Sequence, residues 1–112
     1  MATIESRLEG SVTVLQVRGR LTAESGLRGA IHEAFDSGSG AIVLNLKDVT
    51  GIDSSGFAEL ITCESSAVRR GGRVLVCSPS PRAYEVFAVT QLNTVFRIFD
   101  TEAQALASVR AS

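Results

Sequence analysis

The sequence predicts an α/β fold: a mixed, mostly parallel β-sheet of four to five strands with four helices. Three observations carry this. Short aliphatic runs alternate with segments of helical period, in the order β-β-α-β-α-β-α-β-α. The run AIVLNL at 41–46 is apolar almost throughout, as suits a strand covered on both faces. The length of 112 residues is that of one domain, and 45% apolar against 21% charged residues is an ordinary globular balance.

The elements follow in order. Residues 3–9 alternate loosely, with Ile4 and Leu8 in one phase, and Glu9-Gly10 ends the run. Residues 11–18, SVTVLQVR, are rich in β-branched side chains and form the second arm of a hairpin, which Gly19 breaks. Thr22 is placed to cap a helix starting near Ala23. Leu27, Ala30, Ile31, Ala34 and Phe35 give that helix one apolar face, and 36–40, DSGSG, stops it. The strand 41–46 leads into a loop over 47–52 and then Asp53-Ser54-Ser55-Gly56.

A second helix follows, with Phe57, Leu60, Ile61, Glu64, Ala67 and Val68 at helical spacing. Arg69 and Arg70 lie in its last turn, where cations complement the dipole, and Gly71 ends it. This makes the basic cluster around Gly71-Gly72 a helix end and a turn. Residues 73–77, RVLVC, are a strand. Ser80 followed by Pro81 is a helix start, with Ala83, Val86, Phe87 and Thr90 inside. Residues 95–99 form a last strand, and Thr101 with Gln104 is a capping box opening a helix to about Arg110. One domain fills residues 1–112, with no internal repeat or linker.

Composition narrows the function. A net charge of -1 is a poor footprint for nucleic acid, which is gripped through its phosphates. No run reaches the roughly 18–20 apolar residues that span a membrane, and the N-terminus lacks the pattern of a signal peptide. The expected location is cytoplasmic, with no membrane insertion and no cofactor. One histidine and two cysteines leave little for a metal site. Cys63 and Cys77 lack C-x-x-C spacing and read as buried apolar residues; a redox pair needs the fold to bring them together. A serine hydrolase is disfavoured: Ser54 has no G-x-S-x-G elbow, and His32 falls on the edge of the first helix's apolar stripe. The expectation is a protein that is not an enzyme.

The segment 53–56, DSSG, joins a buried strand to a helix. The first amides of a helix lack intrahelical partners and sit at the positive end of its dipole. Hydroxyls there can cap the helix, or carry a phosphate towards backbone donors. A glycine there allows a partner's backbone or a nucleotide to come close. On these four residues alone, a plain strand-to-helix turn with a serine cap remains an open reading.

The surroundings sharpen it. The stretch 42–62, IVLNLKDVTGIDSSGFAELIT, resembles the STAS domain of bacterial anti-sigma factor antagonists, whose pattern is an apolar strand, a variable loop and I/M-D-S-S/T-G-L-G. Gly19-Arg20-Leu21-Thr22 looks like the family's G-x-L-D, Gly71-Gly72-Arg73 its G-G-x strand start, and 86–92, VFAVTQL, its L-F-x-x-T/S-G-L. The likeness runs over residues 3–110.

The resemblance implies a STAS fold and a phosphoprotein of transcription regulation by partner switching. Ser54 is then the phosphoacceptor. Asp53 holds the loop, and either orients the Ser54 hydroxyl or only accepts hydrogen bonds. Ser55 caps the helix, or is itself the acceptor, and Gly56 gives close approach. Leu21, Thr22 and Phe57 are the implied partner-binding residues, with Phe57 either packed inward or offering an apolar edge.

The implied partners are an anti-sigma factor that is also a serine kinase of histidine-kinase-like ATPase fold, and a metal-dependent serine phosphatase. The same fold also serves as a docking subunit of transport or lipid-trafficking ATPase complexes, and in partner switches outside sigma control. This chain departs from the pattern at Thr22 (Asp in the family), at Phe57-Ala58 (Leu-Gly) and at Gln91 (Gly).

Overall fold

The computed structural model describes residues 2–110. Its elements are β1 (Thr3–Glu9), β2 (Val12–Leu21), α1 (Leu27–Asp36), β3 (Ala41–Ile52), α2 (Ser54–Arg69), β4 (Arg73–Cys77), α3 (Pro81–Thr90), a 3₁₀ turn (Leu92–Thr94), β5 (Ile98–Phe99) and α4 (Glu102–Arg110). The order is the one expected. The strands form one sheet in the order β1-β2-β3-β4-β5. The hairpin pairs β1 with β2 antiparallel, from Thr3 opposite Arg18 to Glu9 opposite Val12. All other pairings are parallel.

Alternation along the strands builds two cores. Leu15, Val17, Ile42, Leu44, Leu46, Val74 and Val76 meet α1, α2 and α3 through residues such as Ile31, Leu60, Ala83 and Phe87. The alternate residues Val12, Val14, Ala41, Val43, Leu75 and Cys77 meet α4 through Ala105 and Leu106. This is why AIVLNL is apolar throughout: both of its faces are covered. Cys63 belongs to the first core and Cys77 to the second, so the sheet separates the two thiols. Both are free, and burial pushes their pKa values up, to about 12 for Cys63 and about 11 for Cys77.

Several expectations are corrected. β2 runs on through Gly19 to Leu21, and β3 runs to Ile52 through residues expected to form a loop. The two extensions pair with each other, Arg18 with Asp48 and Arg20 with Gly51, across register shifts at 16–18 and 19–20. Gly19, at φ +92°, absorbs the second irregularity. Thr22 does not cap α1, which starts at Leu27 behind Gly26 with no side-chain cap. Thr22 instead closes a turn: its Oγ1 accepts from the Glu24 amide at 3.1 Å, and its own amide donates to Ser25 Oγ at 2.8 Å. β5 is shorter than expected, because Val95 follows the 3₁₀ turn. On α2, Ile61 and Val68 are exposed, and the inner face is Leu60, Cys63 and Ala67.

On α3, Thr90 is exposed and the buried residues are Ala83 and Phe87, whereas other local signals are realised as read. Ser80 caps α3, accepting from the Ala83 amide at 3.1 Å and donating to the Val49 carbonyl at 2.7 Å. Thr101 and Gln104 form the reciprocal box at α4. Arg70 closes α2 and pairs with Asp36 at 2.7 Å. His32 is an exposed residue of α1.

Candidate functional site

The DSSG segment lies where β3 hands over to α2. The cap is Asp53, in extended conformation, whose Oδ1 accepts from the Gly56 amide at 2.8 Å. The Phe57 amide donates to the Asp53 carbonyl at 2.9 Å, the first bond of the helix. The expected cap, Ser55, is therefore replaced by Asp53 two residues before it. The reason is stereochemical: the cap must keep extended φ/ψ, and Ser54 and Ser55 already lie within the helix.

Ser55 has a different task. Its hydroxyl donates to Asp53 Oδ1 at 2.7 Å and accepts from the Ala23 amide at 2.9 Å. It thus ties the 22–26 turn to the start of α2, with its proton and an acceptor lone pair both in use. Nothing in the spacing of DSSG signals this contact, because its donor lies 32 residues away in the chain. Ser54 contrasts with it. It is the first residue of α2, it is exposed, and its hydroxyl makes no hydrogen bond to any described residue.

Asp53 is held below the ordinary carboxylate pKa. The hydrogen bond from Ser55 is the main cause, followed by the Gly56 amide. Partial desolvation opposes them, and the Arg20 guanidinium adds a further lowering. The cap is therefore a charged carboxylate near neutral pH, and it sits next to the free Ser54 hydroxyl.

Gly56 does allow a close approach, but to this chain's own backbone. A Cβ there would collide with the Leu21 carbonyl oxygen and stand 2.7 Å from its carbon. The Leu21 carbonyl also accepts from the Asp53 amide at 3.3 Å. The end of β2 and the start of α2 are thus in direct contact.

This changes the part available to Leu21, whose side chain is wholly buried in the larger core. It offers nothing to a partner; its carbonyl locates the DSSG segment. Thr22 is half-buried in the adjoining turn. Phe57 is half-buried and packs inward against the larger core. The structure therefore gathers Leu21, Thr22, Asp53, Ser54, Ser55, Gly56 and Phe57 at one end of the sheet.

Among the described residues, no helix is long and apolar enough to cross a membrane. The STAS domain family matches residues 3–105. A Thermotoga neapolitana protein named for anti-sigma factor antagonism is 32% identical over 78 residues, covering 70% of this chain and 69% of its own length. A crystal structure of a Thermotoga maritima protein, also named for that role, has a TM-score of 0.82 at 26% identity, covering 96% and 94% of the two chains. The anti-sigma factor antagonist SpoIIAA in its unphosphorylated form shares the fold, with a TM-score of 0.80 at 24% identity and 97% of each chain covered. With the strand order, the Asp53 cap and the exposed Ser54 in place, these matches agree on one family: the chain belongs to the STAS-domain anti-sigma factor antagonists.

Proposed function

We propose that this protein is a partner-switching antagonist whose state is set by phosphorylation of Ser54. The observation that carries this is the division of labour between neighbouring serines. The Ser55 hydroxyl is engaged on both sides, whereas Ser54 is exposed and uncommitted. A serine-kinase anti-sigma factor would transfer the γ-phosphoryl group of ATP to Ser54 Oγ, with ADP leaving and the hydroxyl proton released. A metal-dependent phosphatase would return the serine and inorganic phosphate by hydrolysis.

The physics of the switch is local. A phosphate brings about -1.5 to -2 charge and three acceptor oxygens. The fold tolerates it at the N-terminus of α2, where helix amides and dipole favour an anion. A partner closing over Ser54 would instead bury that charge beside the Asp53 carboxylate. An unpaired buried ion costs several kcal/mol, so affinity falls by roughly a thousandfold. The unphosphorylated chain then binds the anti-sigma factor and frees the sigma factor.

The test pairs this chain with a candidate serine-kinase anti-sigma factor encoded near its gene. Calorimetry should show that Ser54→Ala keeps the wild-type affinity and that Ser54→Glu loses at least tenfold. Equal affinity of the Ala and Glu variants would refute the switch.

A further inference from the structure

Beside the DSSG segment runs a cleft of about 530 Å³ between the end of β3 and α3. Its apolar surface comes from Ile52, Val86 and Val89, and its charged rim from Arg20, Arg82 and Glu85. Val89 is 83% exposed, an apolar side chain left in water. The Arg20 stem crosses the bare backbone of Gly51, lying 3.9 Å from where a Cβ would stand. Arg20 and Arg82 enter no ion pair with any described residue. Two guanidinium groups and one carboxylate therefore rim an apolar floor. The cleft is continuous with the switch segment, because Ile52 precedes Asp53 and Arg20 acts electrostatically on it.

We infer that this cleft docks an acidic amphipathic segment of the protein partner, one that seats an apolar side chain on Ile52, Val86 and Val89 and sets carboxylates against Arg20 and Arg82. The inference rests on the Ser54 reading for the partner's identity and adds a second contact, made by side chains other than the phosphoacceptor. Guanidinium groups pair with carboxylates through parallel N–H donors, and the apolar floor supplies the desolvated centre of the contact. Glu85 repels a segment that places its carboxylates elsewhere, which fixes the register.

The direct test is amide-shift mapping of the full chain with a capped hexapeptide, Glu-Asp-Leu-Leu-Glu-Asp. Saturable shifts are expected at Arg20, Gly51, Val86 and Val89. They should weaken as salt rises and require at least tenfold more peptide in Arg82→Glu. Arg82→Lys should keep most of the binding, and thermal melting should show both variants folded. The inference is overturned if no localised shifts occur, or if the Lys-Lys-Leu-Leu-Lys-Lys peptide binds equally. It is also overturned if inorganic phosphate alone saturates the same amides and displaces the peptide, which would make the cleft a simple anion site.

The anti-sigma factor supplies a second arm. If Ser54→Glu weakens its binding and Arg82→Glu does not, the cleft falls and the Ser54 reading stands. If only Arg82→Glu weakens it, the Ser54 reading falls and the cleft stands.

Discussion

At the scale of single residues, the site depends on which neighbour performs which task. DSSG presents three side-chain oxygen groups in a row, and pattern alone leaves the cap and the acceptor open among them. The fold settles the cap, because Asp53 alone is extended while Ser54 is already helical. It also reveals Ser55 as a tie to Ala23, a contact invisible in the sequence because nothing local specifies the 22–26 turn as its donor. Asp53 has a pH signature. Its folded pKa is lowered, so its contribution to stability is fully present above the ordinary carboxylate value near 3.8 and is lost as pH falls through the folded value. Urea midpoints of wild type and Asp53→Asn should therefore differ at pH 7 and converge in strong acid. Gly56 gives a second test. Gly56→Ala forces a methyl group into the Leu21 carbonyl and should destabilise the fold by about 1–3 kcal/mol, as overpacking does, read from urea unfolding.

At the scale of elements, the sequence conveyed strand and helix order well and strand ends poorly. Residues 41–46 and 73–77 announce themselves by unbroken apolar character, which double-sided burial requires. The extensions of β2 and β3 do not, because Gly19, Lys47, Asp48 and Gly51 resemble loop residues. Leu21 and Val49 of these extensions still enter the larger core, but Lys47, Asp48 and Thr50 between them face water, and backbone hydrogen bonds hold the ladder. Those extensions bring the Leu21 carbonyl to Gly56, so the least legible part of the sheet positions the site. Helical period likewise overstated the inner face of α2, since a residue beside the apolar stripe fits the spacing without touching the core; Val68 is 64% exposed. The start of α3 was legible because Ser80-Pro81 is a local signal, and Ser80 also holds the Val49 carbonyl of β3. Ser80→Ala should lower stability by about 1–2 kcal/mol in chemical denaturation, the upper part of the range for a lost cap.

At the scale of the whole molecule, the sheet is a platform that leaves the Ser54 hydroxyl free at its end. Helices cover both of its faces, and the thiols are sealed in separate cores. Cys63 and Cys77 should accordingly resist alkylation at pH 8 in the folded protein and react once denatured. The net charge of -1 becomes roughly -2.5 to -3 on phosphorylation, a large relative change for 112 residues, concentrated at one point. Because α2 accommodates that charge at its N-terminus, the phosphorylated chain should keep the same fold. Its amide-shift changes should cluster around residues 20–26 and 50–57, and a spread across both cores would contradict local exclusion.

The central claim is that Ser54 is the free acceptor and Ser55 the structural tie. Site-mapped mass spectrometry, after incubation with ATP and the serine-kinase anti-sigma factor, tests it on wild type, Ser54→Ala and Ser55→Ala. The expected result is one phosphate on Ser54 in wild type, none in Ser54→Ala, and Ser54 still labelled in Ser55→Ala. Phosphate on Ser55, or labelling that survives Ser54→Ala, would contradict it.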